Sequence, residues 1–177
     1  HGNYGPNVLT NECDVLIALG MRFDDRVTGN LETYAKQAKV IHFDIDPAEI
    51  DKNVKTEVAV LADIKESLTA ILPFIESKKH ESWHNEFKKL YQIELDTVIN
   101  DELKPKKEGI SMGETIEMIN KHSKGDAIIV PDVGQHQMFA CRYAKFNNSK
   151  SIINSGGLGT MGFALPAAIG AKMGMPE

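Results

Sequence analysis

Residues 155–170 read Ser-Gly-Gly-Leu-Gly-Thr-Met-Gly-Phe-Ala-Leu-Pro-Ala-Ala-Ile-Gly, and this stretch constrains the fold of the chain most tightly. Four glycines, Gly156, Gly157, Gly159 and Gly162, fall within eight residues. Without side chains, that backbone can be approached closely by other atoms. The apolar run behind it, Phe163 to Ile169, predicts a buried helix packed on a sheet. A glycine turn opening such a helix aims free N–H groups at an anionic or polar ligand, or is simply a tight strand-to-helix turn. Both readings require strand, turn and helix in succession.

The rest of the chain repeats that order. Asp14 to Leu19 is a short apolar run ending at Gly20, as expected of a buried parallel strand. The cluster Arg22-Phe23-Asp24-Asp25-Arg26-Val27-Thr28-Gly29 follows at its carboxyl end, where open α/β sheets bind ligands. Val40 to Pro47 is a second strand finishing in Asp44 and Asp46, and a carboxylate placed there suits ribose hydroxyls. Val58 to Leu61 is a third. Asp63, with Glu66 three residues on, then has capping-box spacing for a helix burying Ile64, Leu68, Ile71 and Ile75, which Pro73 kinks or shortens. This alternation suits a nucleotide-binding half-domain, although G-x-G-x-x-G is absent. The Arg22 to Arg26 cluster reads equally well as a solvated set of ion pairs.

His1 to Asn7 is a loop by composition. Beyond the charged break Lys78-Lys79-His80-Glu81, the residues Trp83, Phe87, Leu90, Tyr91 and Val98 recur at helical spacing, an amphipathic connecting helix whose aromatics serve packing. Asp101 to Lys107 reads as a solvated linker. Ser111 and Glu114 open a helix that buries Ile116 and Ile119 and stops at Gly125. Ala127 to Val130 and Ser151 to Asn154 are predicted strands, the first leading into Asp132-Val133-Gly134-Gln135-His136. The expected class is α/β: two partial doubly wound parallel-sheet (Rossmann-like) units over 1–80 and 108–177, joined by the helix and linker of 81–107.

Composition narrows the function. With 42% hydrophobic and 25% charged residues the chain is globular, and a net charge of −5 argues against a general nucleic-acid or membrane-surface binder. Two lone cysteines, Cys13 and Cys141, predict reduced thiols and a cytoplasmic location. No apolar run approaches the roughly 18 residues of a membrane span. The ends, His1 and Met175-Pro176-Glu177, read as cuts in a longer chain.

Three clusters, in their order and spacing, carry a resemblance that covers the whole chain. They are Gly20 to Gly29, His42-Phe43-Asp44-Ile45-Asp46-Pro47-Ala48-Glu49-Ile50, and Gly134-Gln135-His136-Gln137-Met138 with Ser155 to Ala168. Together they resemble the large catalytic subunit family of acetohydroxyacid (acetolactate) synthase, among the thiamine-diphosphate enzymes. The resemblance implies the second half of a central FAD-carrying domain over 1–80 and the first half of a pyrophosphate-binding domain over 108–177. It assigns FAD, in a structural role, to His1, Gly20, Arg22, Asp24, Arg26, Asp44, Ile45, Asp63 and Ile64, with Gly156 and Gly157 nearby. It assigns the diphosphate side of thiamine diphosphate to Gln135 and His136 and the pyrimidine side to Gly159, Thr160 and Met161. Met161 would wedge the cofactor into a bent form, so Met161 and Gln135 are its catalytic residues here. On pattern alone Met161 also reads as a core residue, and His136 as a capping or buried histidine.

The implied reaction decarboxylates pyruvate and condenses the product with a second 2-ketoacid, pyruvate or 2-ketobutyrate, in branched-chain amino-acid biosynthesis. The implied assembly is a homodimer or homotetramer, with a regulatory small subunit left open. The activating glutamate and the Mg²⁺ motif belong to parts of the family outside these residues. Asp132 is not that motif, so the stretch alone is expected to hold no metal and do no chemistry. Two alternatives stand beside this: a free-standing adenine-nucleotide-binding module, and a sister enzyme such as a pyruvate oxidase or glyoxylate carboligase.

Overall fold

A computed structural model describes residues 2–104 and 108–176. The fold is mixed α/β around a parallel sheet, and the chain divides into two compact units, 1–93 and 94–177. Cys13 and Cys141 are free thiols. No helix among the described residues is long and apolar enough to cross a membrane.

The first unit is built on three parallel strands in the order β1 (Val15–Leu19), β2 (Lys39–Asp44), β3 (Val58–Leu61), close to the bounds read from the apolar runs except that β2 ends at Asp44 rather than Pro47. Register pairs Ala18 with His42 and His42 with Ala59, so all three strands end along one edge. Side chains alternate across a strand. Ala18 and Val40 turn to a core with Phe23, Leu16, Met21, Tyr34 and Val54. Val15, Ile17 and Leu19 face the other way, and Ile17 is 58% exposed. The expectation of a buried β1 is thus corrected: it is an edge strand with one open face.

Two helical details also depart from expectation. Tyr4–Thr10 is a helix (α1) rather than a loop. Pro6 sits in its first turn, where a missing N–H costs nothing. Gly5 is buried, and a Cβ there would come within 3.5 Å of Leu90 Cβ. Residues Asp25–Thr28 wind into one short turn (α2), with the Asp24 carboxylate accepting from Val27 N at 3.2 Å. The helix after β3, α3 (Ile64–Ile71), is capped as predicted, Glu66 N donating to Asp63 Oδ1 at 3.1 Å. Pro73 sits in a 3-10 turn, Leu72–Phe74, that ends it. None of its four predicted buried residues is fully buried: Ile64 and Ile71 are half-buried, Leu68 and Ile75 are exposed, and Ser67 is the buried residue of the helix. α4 (Glu81–Glu94) carries the predicted aromatics, with Trp83 and Phe87 in an edge-to-face pair at 5.7 Å.

The second unit opens with a π-turn, Leu95–Ile99, and then α5 (Asn100–Leu103), α6 (Met112–Ser123), α7 (Gln135–Tyr143) and α8 (Ala164–Gly174). Its core gathers Ile99, Ile116, Ala140 and Tyr143. The predicted linker is corrected: Asp101 to Leu103 are helical, and Ser111 Oγ–H donates to Glu102 O at 2.9 Å. Residues 105–107 of that linker lie outside the described residues. Ser111 caps α6 by accepting from Glu114 N at 3.0 Å, and Lys124 and Gly125 end it in left-handed conformations. Ile116 is buried, but Ile119, at the edge of the same face, is exposed. Buried Asn120 closes the end of α7, donating to Tyr143 O at 2.8 Å and accepting from Lys145 N at 2.9 Å.

A second anchor of α7 is ionic. Arg142 Nη2 donates to Glu94 Oε1 at 2.5 Å, and the Glu94 side chain is only 3% exposed. Tyr143 O–H donates to Glu102, and burial together with that acceptor pushes the phenol up to about 12. Two expectations fail here. The strands over 127–130 and 151–154 contract to one parallel bridge, Ile129 to Ile152, held by Ile129 N to Ser151 O at 2.8 Å and Ile153 N to Ile129 O at 3.0 Å. Helix α8 forms but is not buried: Leu165 is 73% exposed, and Ile169 and Met173 lie open beside it. Apolar composition sets what a helix can bury, not whether a partner surface is present.

Candidate cofactor-binding sites

Parallel pairing places the carboxyl ends of β1, β2 and β3 side by side, so the residues that follow each strand meet. Gly20, Arg22, Asp44, Ile45, Asp46, Glu49, Ala62, Asp63 and Ile64 line one cleft of ≈ 370 Å³. Gly20, Arg22, Asp44, Ile45, Asp63 and Ile64, all proposed from sequence, are thereby brought together. Asp46, Glu49 and Ala62 complete the lining. The strand-end pattern at 44–46 already pointed to Asp46, whereas Glu49 carries no such signal.

The local physics explains the shape. Gly20 lies at φ 59, and its N–H donates to Phe43 O at 2.8 Å, extending the β1–β2 pairing by one residue. A Cβ there would sit 2.7 Å from Ile64 Cδ1, so glycine keeps the cleft open. Asp44 Oδ1 accepts from Asp46 N at 2.9 Å, which bends the chain after β2 along the rim. Fully buried His42 braces the segment after β1: its Nε2 lies 3.0 Å from Met21 O and its ring stands edge-to-face with Phe23 at 5.1 Å. Asn53 Nδ2 donates to Phe23 O at 2.7 Å. The segment that presents Arg22 is thus fixed from both sides.

Arg22 is the cation of this lining, against Asp44, Asp46, Glu49 and Asp63. Such a donor set suits a polyhydroxylated ligand whose hydroxyls donate to carboxylates, with one guanidinium for an anionic group. The ion-pair reading of the polar cluster also has a physical basis. Arg22 Nη2 lies 3.2 Å from Asp24 Oδ2 and Arg26 Nε 3.9 Å from Asp25 Oδ2, all at the surface. Exposed pairs of this kind contribute about 0–1 kcal/mol, weak enough for a ligand phosphate to replace the carboxylate. Asp24 and Arg26 are outside the cleft lining. His1 lies outside the described residues.

The second unit carries the other set. Gly134 opens α7 at φ 152 and ψ −170, a region essentially reserved for glycine, and a Cβ there would come 2.9 Å from His136 Cε1. Gln135 and His136 are exposed on the first turn, so His136 is neither a cap nor a buried histidine. Gly157, Gly159 and Gly162 have open space where a Cβ would be, and Gly159 and Gly162 have positive φ. Gly156 is tighter, its Cβ position 3.2 Å from Asn154 Oδ1. Met161 is 82% exposed, so it is not a core side chain of this unit.

Asp132, set aside on sequence, ties the two motifs together. Gly162 N donates to its Oδ1 and Oδ2, both at 3.0 Å, while Val133 N donates to Oδ1 at 2.8 Å. Among the described residues no group of three His, Cys, Asp or Glu side chains is placed to hold a metal ion.

Comparison with known proteins agrees with this layout. Residues 1–71 match the family described as thiamine pyrophosphate enzyme, central domain, and residues 132–177 the thiamine pyrophosphate enzyme C-terminal TPP binding domain. The acetolactate synthase large subunit of Lactococcus lactis is 43% identical over the whole chain. The probable acetolactate synthase large subunit of Methanocaldococcus jannaschii is 42% identical over 99% of it, and isozyme 3 of Escherichia coli 39% over all of it. The chain spans about 30% of the length of these relatives. With two successive domain matches and this identity from end to end, the chain belongs to the thiamine pyrophosphate enzymes, within the acetolactate synthase large-subunit family.

Proposed function

We propose that the chain is the cofactor-holding middle stretch of an acetolactate synthase catalytic subunit. In this reading 1–80 is the second half of an FAD-carrying central domain, 81–107 the connection, and 108–177 the first half of the pyrophosphate-binding domain. The supporting observation is the convergence of Gly20, Arg22, Asp44, Ile45, Asp63 and Ile64 on one cleft at the carboxyl edge of a parallel sheet. Asp44 and Asp63 would take ribose or ribityl hydroxyls of FAD, and Arg22 the nearer phosphate, with Arg26 as a further cation and Asp24 as a further acceptor for hydroxyls. Bare backbone at Gly20 would let the flavin nucleotide lie close.

Bound thiamine diphosphate would supply the carbanion chemistry by which pyruvate loses carbon dioxide and joins a second 2-ketoacid. The chain's own residues position and shape. Gln135, His136 and the N–H groups of the first turn of α7 would hold the diphosphate side. Gly159 and Thr160 would offer backbone to the pyrimidine, and the exposed Met161 thioether would fill the bend between the rings. In this reading the Mg²⁺ ligands and the activating glutamate come from parts of the protein outside this stretch. The stretch alone would then be catalytically silent. The whole protein would be a cytoplasmic homo-oligomer acting on pyruvate and 2-ketobutyrate, with or without a regulatory small subunit.

The experiment is product analysis of the full-length protein given pyruvate, thiamine diphosphate, Mg²⁺ and FAD. Acetolactate and carbon dioxide are expected. Acetyl phosphate or peroxide would assign a sister oxidase, and nucleotide binding with no pyruvate consumed would assign a binding module.

A further inference from the structure

A loop with four glycines has little to hold it still, yet the role proposed for Met161 needs a fixed side chain. The backbone on either side of Met161 is in fact held. Thr160 N donates to Ser155 Oγ at 3.0 Å, within a turn closed by Gly159 N to Ser155 O at 2.9 Å. Gly162 N donates to both carboxylate oxygens of Asp132, 3.0 Å each. The first restraint is local. The second reaches back to the segment that leads into α7, and the same carboxylate accepts from Val133 N at 2.8 Å. One acidic side chain therefore fixes the turn before Gln135 and His136 and, equally, the peptide after Met161.

The chemistry suits a permanent restraint. The N–H of Val133, with those of Gly162 and Ala164 and the nearby His136, holds the Asp132 carboxyl below the usual carboxylate range, so it is ionised at neutral pH. An ionised acceptor makes stronger bonds to N–H groups than a neutral one. Gly162, at φ 81, can turn its N–H toward that carboxylate without the strain a side chain would bring.

We infer that Asp132 is a positioning residue, a pin that sets Met161 against Gln135 and His136 so that both motifs face one cofactor. The functional half of this inference rests on the reading under Proposed function; the pin itself rests on the hydrogen bonds. Asp132 need not touch the cofactor.

The test uses the full-length protein and the variants Asp132→Ala, Asp132→Asn and Ser155→Ala, with three readouts. The first is amide hydrogen exchange without cofactor. Asp132→Ala should speed exchange at Gly162 by roughly ten- to a hundredfold, as the loss of a charge-assisted bond implies, while the amides of α6 and the second half of α7 keep their protection. Asp132→Asn retains an acceptor oxygen and should restore part of that protection. Ser155→Ala should act at Thr160 instead. The second and third readouts are thiamine-diphosphate affinity and turnover. For Asp132→Ala, turnover should fall more than tenfold while affinity changes several-fold, with Asn between. A Gly162 amide already unprotected in the wild type would overturn the pin, and so would loosening that spreads through α6 and α7. Local loss of protection with turnover and affinity unchanged would overturn the positioning role. If the wild-type protein binds no thiamine diphosphate, the cofactor reading fails instead, and the exchange data still judge the pin.

Discussion

Gly113 is the most exacting contact in the second unit. It lies in the first turn of α6, where a Cβ would stand 2.4 Å from Glu102 O and 2.9 Å from Glu102 C. Ordinary contact needs about 3.5 Å, so Gly113→Ala must part α5 from α6 by roughly 1 Å. The obstacle is a backbone carbonyl, which cannot rotate away as a side chain can. Overpacking of this kind costs about 1–3 kcal/mol. The same carbonyl accepts the Ser111 hydroxyl at 2.9 Å, a bond worth about 1 kcal/mol that the shift would stretch. Alanine's better helix propensity returns about 1 kcal/mol. The net expectation is a loss of about 2 kcal/mol, and with a urea m-value of about 1–3 kcal/mol/M the midpoint should drop by roughly 1 M. Gly170→Ala in α8, with open space at its Cβ position, is the internal comparison and should be neutral or mildly stabilising. Equal or higher urea resistance for Gly113→Ala would refute the close α5–α6 packing.

Three further outcomes follow from the same geometry. Arg142→Ala leaves the Glu94 carboxylate buried without its partner and should cost about 3 kcal/mol in urea unfolding, whereas Glu94→Leu with Arg142→Met should recover most of it. Because burial and Glu102 push the Tyr143 phenol up to about 12, the unfolded chain ionises first; the contribution is complete below about pH 10 and fades as pH rises toward 12. A pH series of unfolding midpoints with Tyr143→Phe as reference checks that slope. Met161→Ala should shift the stability of this chain by no more than about 0.5 kcal/mol, as an exposed side chain, yet cut turnover in the full-length enzyme far more than thiamine-diphosphate affinity; normal turnover per folded enzyme would remove the wedge.

What could be read from sequence was what is encoded locally. Asp63 with Glu66, and Ser111 with Glu114, announce helix starts because a capping bond spans three residues. The strands β1 to β3 stand out as apolar runs, and parallel topology carries their carboxyl ends together, so the polar cluster after β1 and the acids after β2 are legible as ligand-facing, whereas Ile45, Asp63 and Ile64 come from the family resemblance. Burial was less legible. Phe163 to Ile169 has a core composition, but the surface it would cover is not among the described residues. In α1, Gly5 and Pro6 look like loop residues, yet the first suits close packing against Leu90 and the second suits a first turn. The role of Asp132 leaves no sequence signal, because its partner, Gly162 N, is thirty residues away and belongs to the backbone, which sequence patterns do not display.

The cleft at the carboxyl edge of β1, β2 and β3 is tested most directly by FAD titration of the full-length protein, wild type against Arg22→Ala. A guanidinium on the diphosphate contributes about 1.5–3 kcal/mol, so the affinity of Arg22→Ala should be weaker by roughly ten- to a hundredfold. An unchanged FAD affinity would contradict it and leave Arg22 as nothing more than the surface partner of Asp24.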